Sequence, residues 1–259
     1  MKILVTGHEG FIGGHMVAAL KSHGHTVTTY EYTSDSYPSL EGLDWVIHMG
    51  AISSTVETDV EKVMRQNFDF TRWLIDRCEY HEVNLQYSSS ASIYGLGSYF
   101  GEDAAPDPKS PYAWSKYLIE RHVEEFGEDP NGLLLQGFRY FNVYGPEGEE
   151  HKGNQASPFY QFKKQAESGK ISVFEGSSDF RRDFIHVDEI VGLHLKFLDI
   201  PKSGIWNFGT GKTMSFMEVA QSFGVGIEVI PFPPHLKNSY QSYTCADLTK
   251  LTLTLNDHD

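Results

Sequence analysis

The stretch that decides the fold is the amino terminus, Met1-Lys2-Ile3-Leu4-Val5-Thr6-Gly7-His8-Glu9-Gly10-Phe11-Ile12-Gly13-Gly14. Apolar Ile3–Thr6 reads as a strand, glycines recur at 7, 10 and 13, and Phe11–Ser22 carries a helical pattern. In such a loop Gly7 permits the tight turn, Gly10 lets the backbone approach a pyrophosphate, and Gly13 brings the helix close to the sheet. Phe11 and Ile12 lie inside the loop and count with the glycines as cofactor contacts. The unpaired N–H groups and the dipole of the helix N-terminus favour negative charge there. A glycine triplet alone also fits an ordinary turn. At the first strand-to-helix junction, with Glu31 closing the second strand, it points to a dinucleotide site. Glu31 stands where an acid accepts hydrogen bonds from the adenosine ribose; the alternative is a solvated strand-end carboxylate.

Outward from this loop, short apolar runs alternate with amphipathic ones. Thr26–Tyr30, Trp45–Met49, Val83–Ser88 and Leu133–Phe138 read as strands, and Val56–Cys78 and Tyr112–Phe126 as helices. The alternation predicts βαβ units, hence an α/β, doubly wound parallel sheet of Rossmann type. Beyond Tyr140 the pattern loosens. Residues 1–141 plus about 182–208 are assigned to the dinucleotide-binding domain, and about 142–181 and 209–259 to a smaller substrate-binding portion. Only the fourteen residues Glu31 to Asp44 separate the second and third strands. A full half-fold places a helix and a strand there, so the sheet is expected to be one strand short.

Composition narrows the function. With 35 acids against 21 bases the chain carries a net charge of −14, which disfavours nucleic acid and anionic membranes as partners. No apolar run reaches the length of a membrane span, and the N-terminus is too short in apolar residues for a signal peptide. Two cysteines, Cys78 and Cys245, give no disulfide framework and fit a cytoplasmic protein. The twelve histidines lack ligand-spaced partners, so no metal is expected.

Chemistry enters with Tyr112-Ala113-Trp114-Ser115-Lys116, after Pro111. Four residues apart, Tyr112 and Lys116 share one helical face. A free phenol titrates near 10, about 4 kcal/mol from serving as a base at neutral pH. A neighbouring ammonium and an oxidised nicotinamide ring both favour the phenolate. Such a pair alone reads as a surface pair; behind a dinucleotide loop it reads as catalytic. The serine-rich run Tyr87-Ser88-Ser89-Ser90-Ala91-Ser92 ends a strand, and one serine, Ser90, is assigned the hydrogen bond to a forming carbonyl or alkoxide. The others fit turn chemistry.

The Gly7/Gly10/Gly13 loop, Ser90, Tyr112 and Lys116 together resemble the extended short-chain dehydrogenase/reductase superfamily, which includes the NAD-dependent epimerases and dehydratases. Further motifs narrow the resemblance to the ADP-L-glycero-D-manno-heptose 6-epimerase family. They are Gly137-Phe138-Arg139-Tyr140-Phe141-Asn142-Val143-Tyr144-Gly145-Pro146, His151-Lys152-Gly153, Phe174-Glu175-Gly176-Ser177, Arg182-Asp183-Phe184 and Asn207-Phe208-Gly209-Thr210-Gly211. The resemblance implies a homo-oligomeric, NADP- or NAD-dependent isomerase that oxidises C6 of an ADP-sugar and reduces it again from the other face. It implies Lys152 as a second acid/base group opposite Tyr112; without the flanking match a surface charge is the plainer reading. It further implies cofactor contacts from Gly50, Ala51, Ser53, Gln66, Asn67 and Val143. On the substrate side it implies Asn142, Asn154, Gln161, Phe174, Glu175, Gly176 and Ser177, with Arg182 on the pyrophosphate and Tyr240 closing the site.

Three departures stand out. Thr33 to Asp44 holds no lysine or arginine, where the family uses lysines for the 2′-phosphate of NADP, and Glu31 would repel that phosphate; this favours NAD. Asn154 and Gln161 stand where the family has a serine and a histidine, which bears on the sugar. The match breaks off at Asp259, where the family continues into a further helix, which bears on stability and assembly. Three competing readings are another nucleotide-sugar epimerase or reductase, a 4,6-dehydratase, and a non-catalytic dinucleotide sensor. The dehydratase carries Thr-Asp-Glu where this chain has Ser90-Ala91-Ser92, and the sensor usually forfeits the tyrosine or lysine.

Overall fold

The computed structural model describes residues 1–33, 36–126, 132–234 and 240–258. Its main sheet is built from β1 (Lys2–Thr6), β2 (Thr26–Tyr30), β3 (Trp45–His48), β4 (Asn84–Ser90), β5 (Leu135–Tyr140) and β9 (Gly204–Phe208). All neighbours are parallel, in the order β2-β1-β3-β4-β5-β9. Helices α1 (Phe11–Ser22) and α6 (Val187–Phe197) pack on each other, and α3 (Phe70–His81) and α4 (Pro111–Phe126) do likewise. Ile3, Val5, Met16, Leu20, Ile47 and Val191 form one buried layer, and Leu4, Val46, Leu74, Leu85 and Ile119 another. Successive residues of β1 thus enter opposite layers, as the pleat requires. The fold is the doubly wound sheet that the alternation predicts.

β2 is the edge strand, and among the described residues no strand lies beyond it. In place of a further helix and strand, a knot of rings covers the corner. Phe70 contacts Tyr30, Tyr32 and Tyr37 at centroid distances of 5.6, 5.2 and 6.0 Å, and Tyr37 lies 4.4 Å from Trp73. Leu40, from the same short connection, is buried against this layer.

The expected helix over Val56–Cys78 is a correction. The chain becomes helical at α2 (Val60–Val63), capped by the Asp59 carboxylate accepting the Lys62 N–H at 3.0 Å. A π-helical turn, Met64–Asp69, then widens the coil before α3. The turn carries Asn67 inward, a use of π-turns found at functional sites. The strand ends also differ: β4 and β5 run two residues further than expected, so Ser88–Ser90 belong to the strand itself.

Beyond β5, β6 (Asn142–Tyr144), β8 (Arg181–His186) and β10 (Thr213–Ser215) form a second sheet, and β7 (Lys170–Phe174) pairs with β11 (Gly226–Ile230). Helices α5 (Pro158–Ala166) and α7 (Phe216–Gln221) cover the β7 pair. Two elements depart from the expected partition of the chain. β8 belongs to the small sheet, because it pairs with β6 and β10. The last helix, α8 (Thr249–Asn256), packs on β9 of the main sheet, where Trp206 Nε1 donates to Thr254 Oγ1 at 3.0 Å.

Phe70 is the centre of the ring cluster that stands in for the missing unit. Phe70→Ala should lower the unfolding free energy by about 3–5 kcal/mol in urea melts. A loss below about 1 kcal/mol would mean that the cluster collapses around the cavity or supports little.

Candidate active site

Two cavities open at the carboxyl end of the main sheet, where ligands of such sheets bind. The first, of about 160 Å³, is lined by Gly7, Gly10, Phe11, Ile12, Gly13, Met49, Ala51, Ser53, Ser88, Ser89, Tyr112, Lys116, Tyr140 and Lys152. The second, of about 480 Å³, includes Ser90, Tyr140, Asn142, Arg182 and Tyr240. They meet at Tyr140.

The glycine loop is built for close backbone approach. Gly7 has φ +74°, and a Cβ there would lie 2.4 Å from the Gly50 Cα; a Cβ at Gly13 would lie 2.0 Å from the Gly7 carbonyl oxygen. No side chain caps α1, so its first-turn N–H groups are left for a ligand. Glu31 accepts the Glu9 N–H at 2.7 Å, and His8 Nδ1 lies 3.1 Å from the same oxygen, Oε1. The carboxylate is therefore held against the loop. A bare cradle of this shape fits the pyrophosphate of a dinucleotide.

Helix α4 begins where Ser110 Oγ accepts the Ala113 N–H at 3.2 Å, with Pro111 supplying the first-turn φ. Its inner face meets the serine strand at three successive levels. Ser90 hydrogen-bonds the Tyr112 phenol. Lys116 Nζ donates to the Ser88 carbonyl at 2.7 Å and to Ser88 Oγ at 3.2 Å. Ser89 Oγ donates to Glu120 Oε1 at 2.5 Å. Glu120 is locked in turn by Arg139, whose Nε and Nη2 donate to its two oxygens at 2.9 and 2.6 Å. Such a two-pronged pair is strong and geometrically specific.

Burial sets the electrostatics of both side chains. Burial raises the Tyr112 phenol, and the Ser90 hydrogen bond only partly offsets this. Burial likewise pushes the Lys116 amine down to about 7 against the opposing pull of Glu120. Desolvation is thus the largest influence on both side chains, and it disfavours the charged form of each.

Lys152 lines the same cavity as Tyr112, with Nζ 4.2 Å from the Phe11 ring centroid and 3.4 Å from the fully buried Glu149 Oε2. Burial lowers its amine, opposed by Glu149. Glu149 also accepts the Ser157 N–H and hydroxyl at 2.7 and 2.6 Å, which fixes the turn before α5.

The remaining expected site residues divide. Gly50 packs on Gly7, and Ala51 and Ser53 line the first cavity. Buried Asn67 spends its amide on the Ile52 N–H (2.8 Å), the Ile52 carbonyl (3.0 Å) and Ser115 Oγ (3.1 Å), so it shapes the 50–53 turn from behind. Gln66 and Val143 are half-buried outside both linings. Arg182 lines the second cavity, donates to the carbonyls of Arg181 and Gln241, and lies over the rings of Phe216 and Tyr240. Phe174, Glu175, Gly176 and Ser177 lie outside both linings; Phe174 connects to Tyr240 through Phe232. Gln161 is also outside them and donates to the Gly153 carbonyl at 2.7 Å. The side chain of Asn154 lies outside the described residues.

Sequence reasoning passed over Tyr140, Glu120 and Asp183. Glu120 was legible in principle, since Tyr112, Lys116 and Glu120 recur every four residues on one face. Asp183 accepts the N–H groups of Thr210, Gly211 and Ala246 and the Thr210 hydroxyl, which joins three distant segments. Tyr140 gave no signal of its own beyond belonging to the motif from Gly137 to Pro146. Among the described residues no group of three or more His, Cys, Asp or Glu could hold a metal ion, and no helix is long and apolar enough to cross a membrane.

Comparison with known proteins gives the following. Residues 3–209 match the model of the NAD dependent epimerase/dehydratase family. The ADP-L-glycero-D-manno-heptose-6-epimerase of Alkalilimnicola ehrlichii is 39% identical, over 96% of this chain and 90% of that protein. The protein of the same name from Brachyspira hyodysenteriae is 36% identical over the same shares. The solved ADP-L-glycero-D-manno-heptose-6-epimerase of Helicobacter pylori superposes with a TM-score of 0.86, over 98% of this chain and 90% of that one. At 21% identity that last likeness is one of fold.

The depressed Lys116 amine has a measurable consequence. In the unfolded chain it titrates in the ordinary lysine range, so between about pH 7 and pH 10 the folded state binds fewer protons and stability from this site rises with pH. In urea melts of cofactor-free protein, wild type should gain stability relative to Lys116→Met across that window, by at most about 1.4 kcal/mol per pH unit. A difference that stays flat would mean that Lys116 titrates normally.

Proposed function

This chain belongs to the NAD dependent epimerase/dehydratase family, and from that premise we propose that it is a cytoplasmic nucleotide-sugar epimerase inverting C6 of an ADP-heptose. What carries the reading is that Tyr112, Lys116 and Lys152 line one cavity with the glycine loop. The relatives' shared name supports the sugar.

The glycine loop, Glu31 and the 50–53 turn hold the dinucleotide, with Lys116 near the reacting end. Bound there, a nicotinamide cofactor supplies the two-electron acceptor and, on the return, the donor. Tyr112 takes the proton of the sugar hydroxyl as its carbon becomes a carbonyl, while Ser90 donates a hydrogen bond to that oxygen. Reduction from the other face needs a second proton donor, and Lys152, with its amine lowered by burial, fills that role. Arg182 holds the substrate pyrophosphate, Asn142 the sugar, and Tyr240 closes over them in the second cavity.

Purified protein should interconvert the two C6 epimers of ADP-heptose without added cofactor. Tyr112→Phe and Lys152→Met should each lower kcat by about 10²–10⁴ while retaining bound dinucleotide. Turnover of a UDP- or GDP-sugar instead, indifferent to Lys152, would replace the substrate assignment. Bound dinucleotide with no turnover of any sugar would favour a sensor.

We read the cofactor as NAD. The anchored Glu31 carboxylate would repel a 2′-phosphate, and no lysine or arginine lies between residues 33 and 44 to attract one. The nucleotide released on denaturation should have the mass of NAD. Glu31→Ser should raise affinity for NADP relative to NAD by about tenfold, as expected on removing one like charge. Release of NADP from wild type would overturn the assignment.

A further inference from the structure

The Tyr140 ring borders both cavities, and its hydroxyl is held from behind by a buried relay. Gln136 Nε2 donates to the carbonyls of Phe197, Ile200 and Lys202 at 3.1, 2.9 and 3.2 Å, so its Oε1 is left as an acceptor. Gln86, its partner across β4 and β5, donates Nε2 to that oxygen at 3.0 Å and to the His194 carbonyl at 3.2 Å. The Gln86 Oε1 is thereby an acceptor too. His194 Nδ1 lies 2.7 Å from it and must carry the ring proton, which leaves Nε2 as a lone pair. The Tyr140 hydroxyl stands 2.6 Å from that Nε2 and donates to it. Gln86, Gln136 and His194 are completely buried.

The sense of this relay requires a neutral imidazole. Burial holds the His194 ring down to about 3, so it stays uncharged across the neutral range. A phenol has one proton. Once it is given to His194, only oxygen lone pairs remain for the cleft; the Met49 sulfur, at 3.2 Å, is a weaker acceptor competing for the same proton.

We propose that His194 is a positioning residue that fixes Tyr140 as an acceptor-only wall of the cleft, where it receives an N–H or O–H hydrogen bond from a bound ligand. This rests on reading the cleft as a dinucleotide and sugar site. Two donors could supply the bond, the carboxamide of the nicotinamide or a hydroxyl of the sugar. A carbonyl oxygen brought to the same place would meet lone pair against lone pair.

The test is a double-mutant cycle over Tyr140→Phe, His194→Leu and the double variant. Calorimetric Kd values are taken for NAD and, on the NAD-loaded protein, for ADP-heptose, with thermal melting followed separately. Each single variant should weaken one of the two ligands by about tenfold, the scale of one neutral hydrogen bond, and the double variant should be no weaker than either single. Loss confined to NAD identifies the carboxamide as the donor; loss confined to ADP-heptose identifies a sugar hydroxyl. His194→Gln, whose carbonyl oxygen can accept the phenol proton, should restore near wild-type binding, and with Tyr140→Phe it suffices if His194→Leu does not fold. Unchanged Kd values for both ligands, or losses that multiply in the double variant, would overturn the proposal. Wild type binding neither ligand would overturn the functional reading along with it.

Discussion

The site depends on a single reach, that of Lys116 from α4 to the carbonyl of Ser88 at the end of β4. An ammonium that is wholly buried is tolerated only where donors are met and an opposite charge is near. Ser88 meets the donors. Glu120, one helical turn on, supplies the charge and is itself held by Arg139 from β5. Removing either end of this chain of contacts leaves a charge stranded in the core, and the same contacts set the distance between α4 and the sheet. The position of the Tyr112 phenol is therefore a by-product of how the core neutralises its own charges.

The same arrangement explains why the phenol is held in reserve. Desolvation raises the Tyr112 phenol and lowers the Lys116 amine. Both shifts disfavour charge; a positive ring beside the two groups would favour the phenolate and press the lysine amine down further.

Much of this was legible in the sequence because it is local. The strand, the three glycines and the first helix are set by residues adjacent in the chain, and Tyr112 and Lys116 share a face by helical period alone. The parallel sheet followed from alternation, and the missing strand from counting Glu31 to Asp44. What could not be read depends on distant partners. The π-turn at Met64–Asp69 exists in a stretch whose apolar pattern is that of an unbroken helix, and it becomes visible only when Asn67 meets Ile52 and Ser115. Tyr140 stood out only as one residue of the motif from Gly137 to Pro146, because its partner His194 lies more than fifty residues along the chain. The burial of Tyr112 and Lys116 was out of reach for a related reason: charge proximity can be read from spacing, whereas depth cannot.

The edge at β2 has a consequence of its own. Its five residues, Thr26–Tyr30, end the sheet with no strand outside them among the described residues, and three of the five are threonines. An outermost ladder of backbone groups invites foreign strands to add on, and proteins discourage this by keeping such a border short and wettable. By trimming a helix and a strand, the chain has turned an interior strand into a frontier. Its hydroxyl-rich face offers an incoming strand little dry surface to cover.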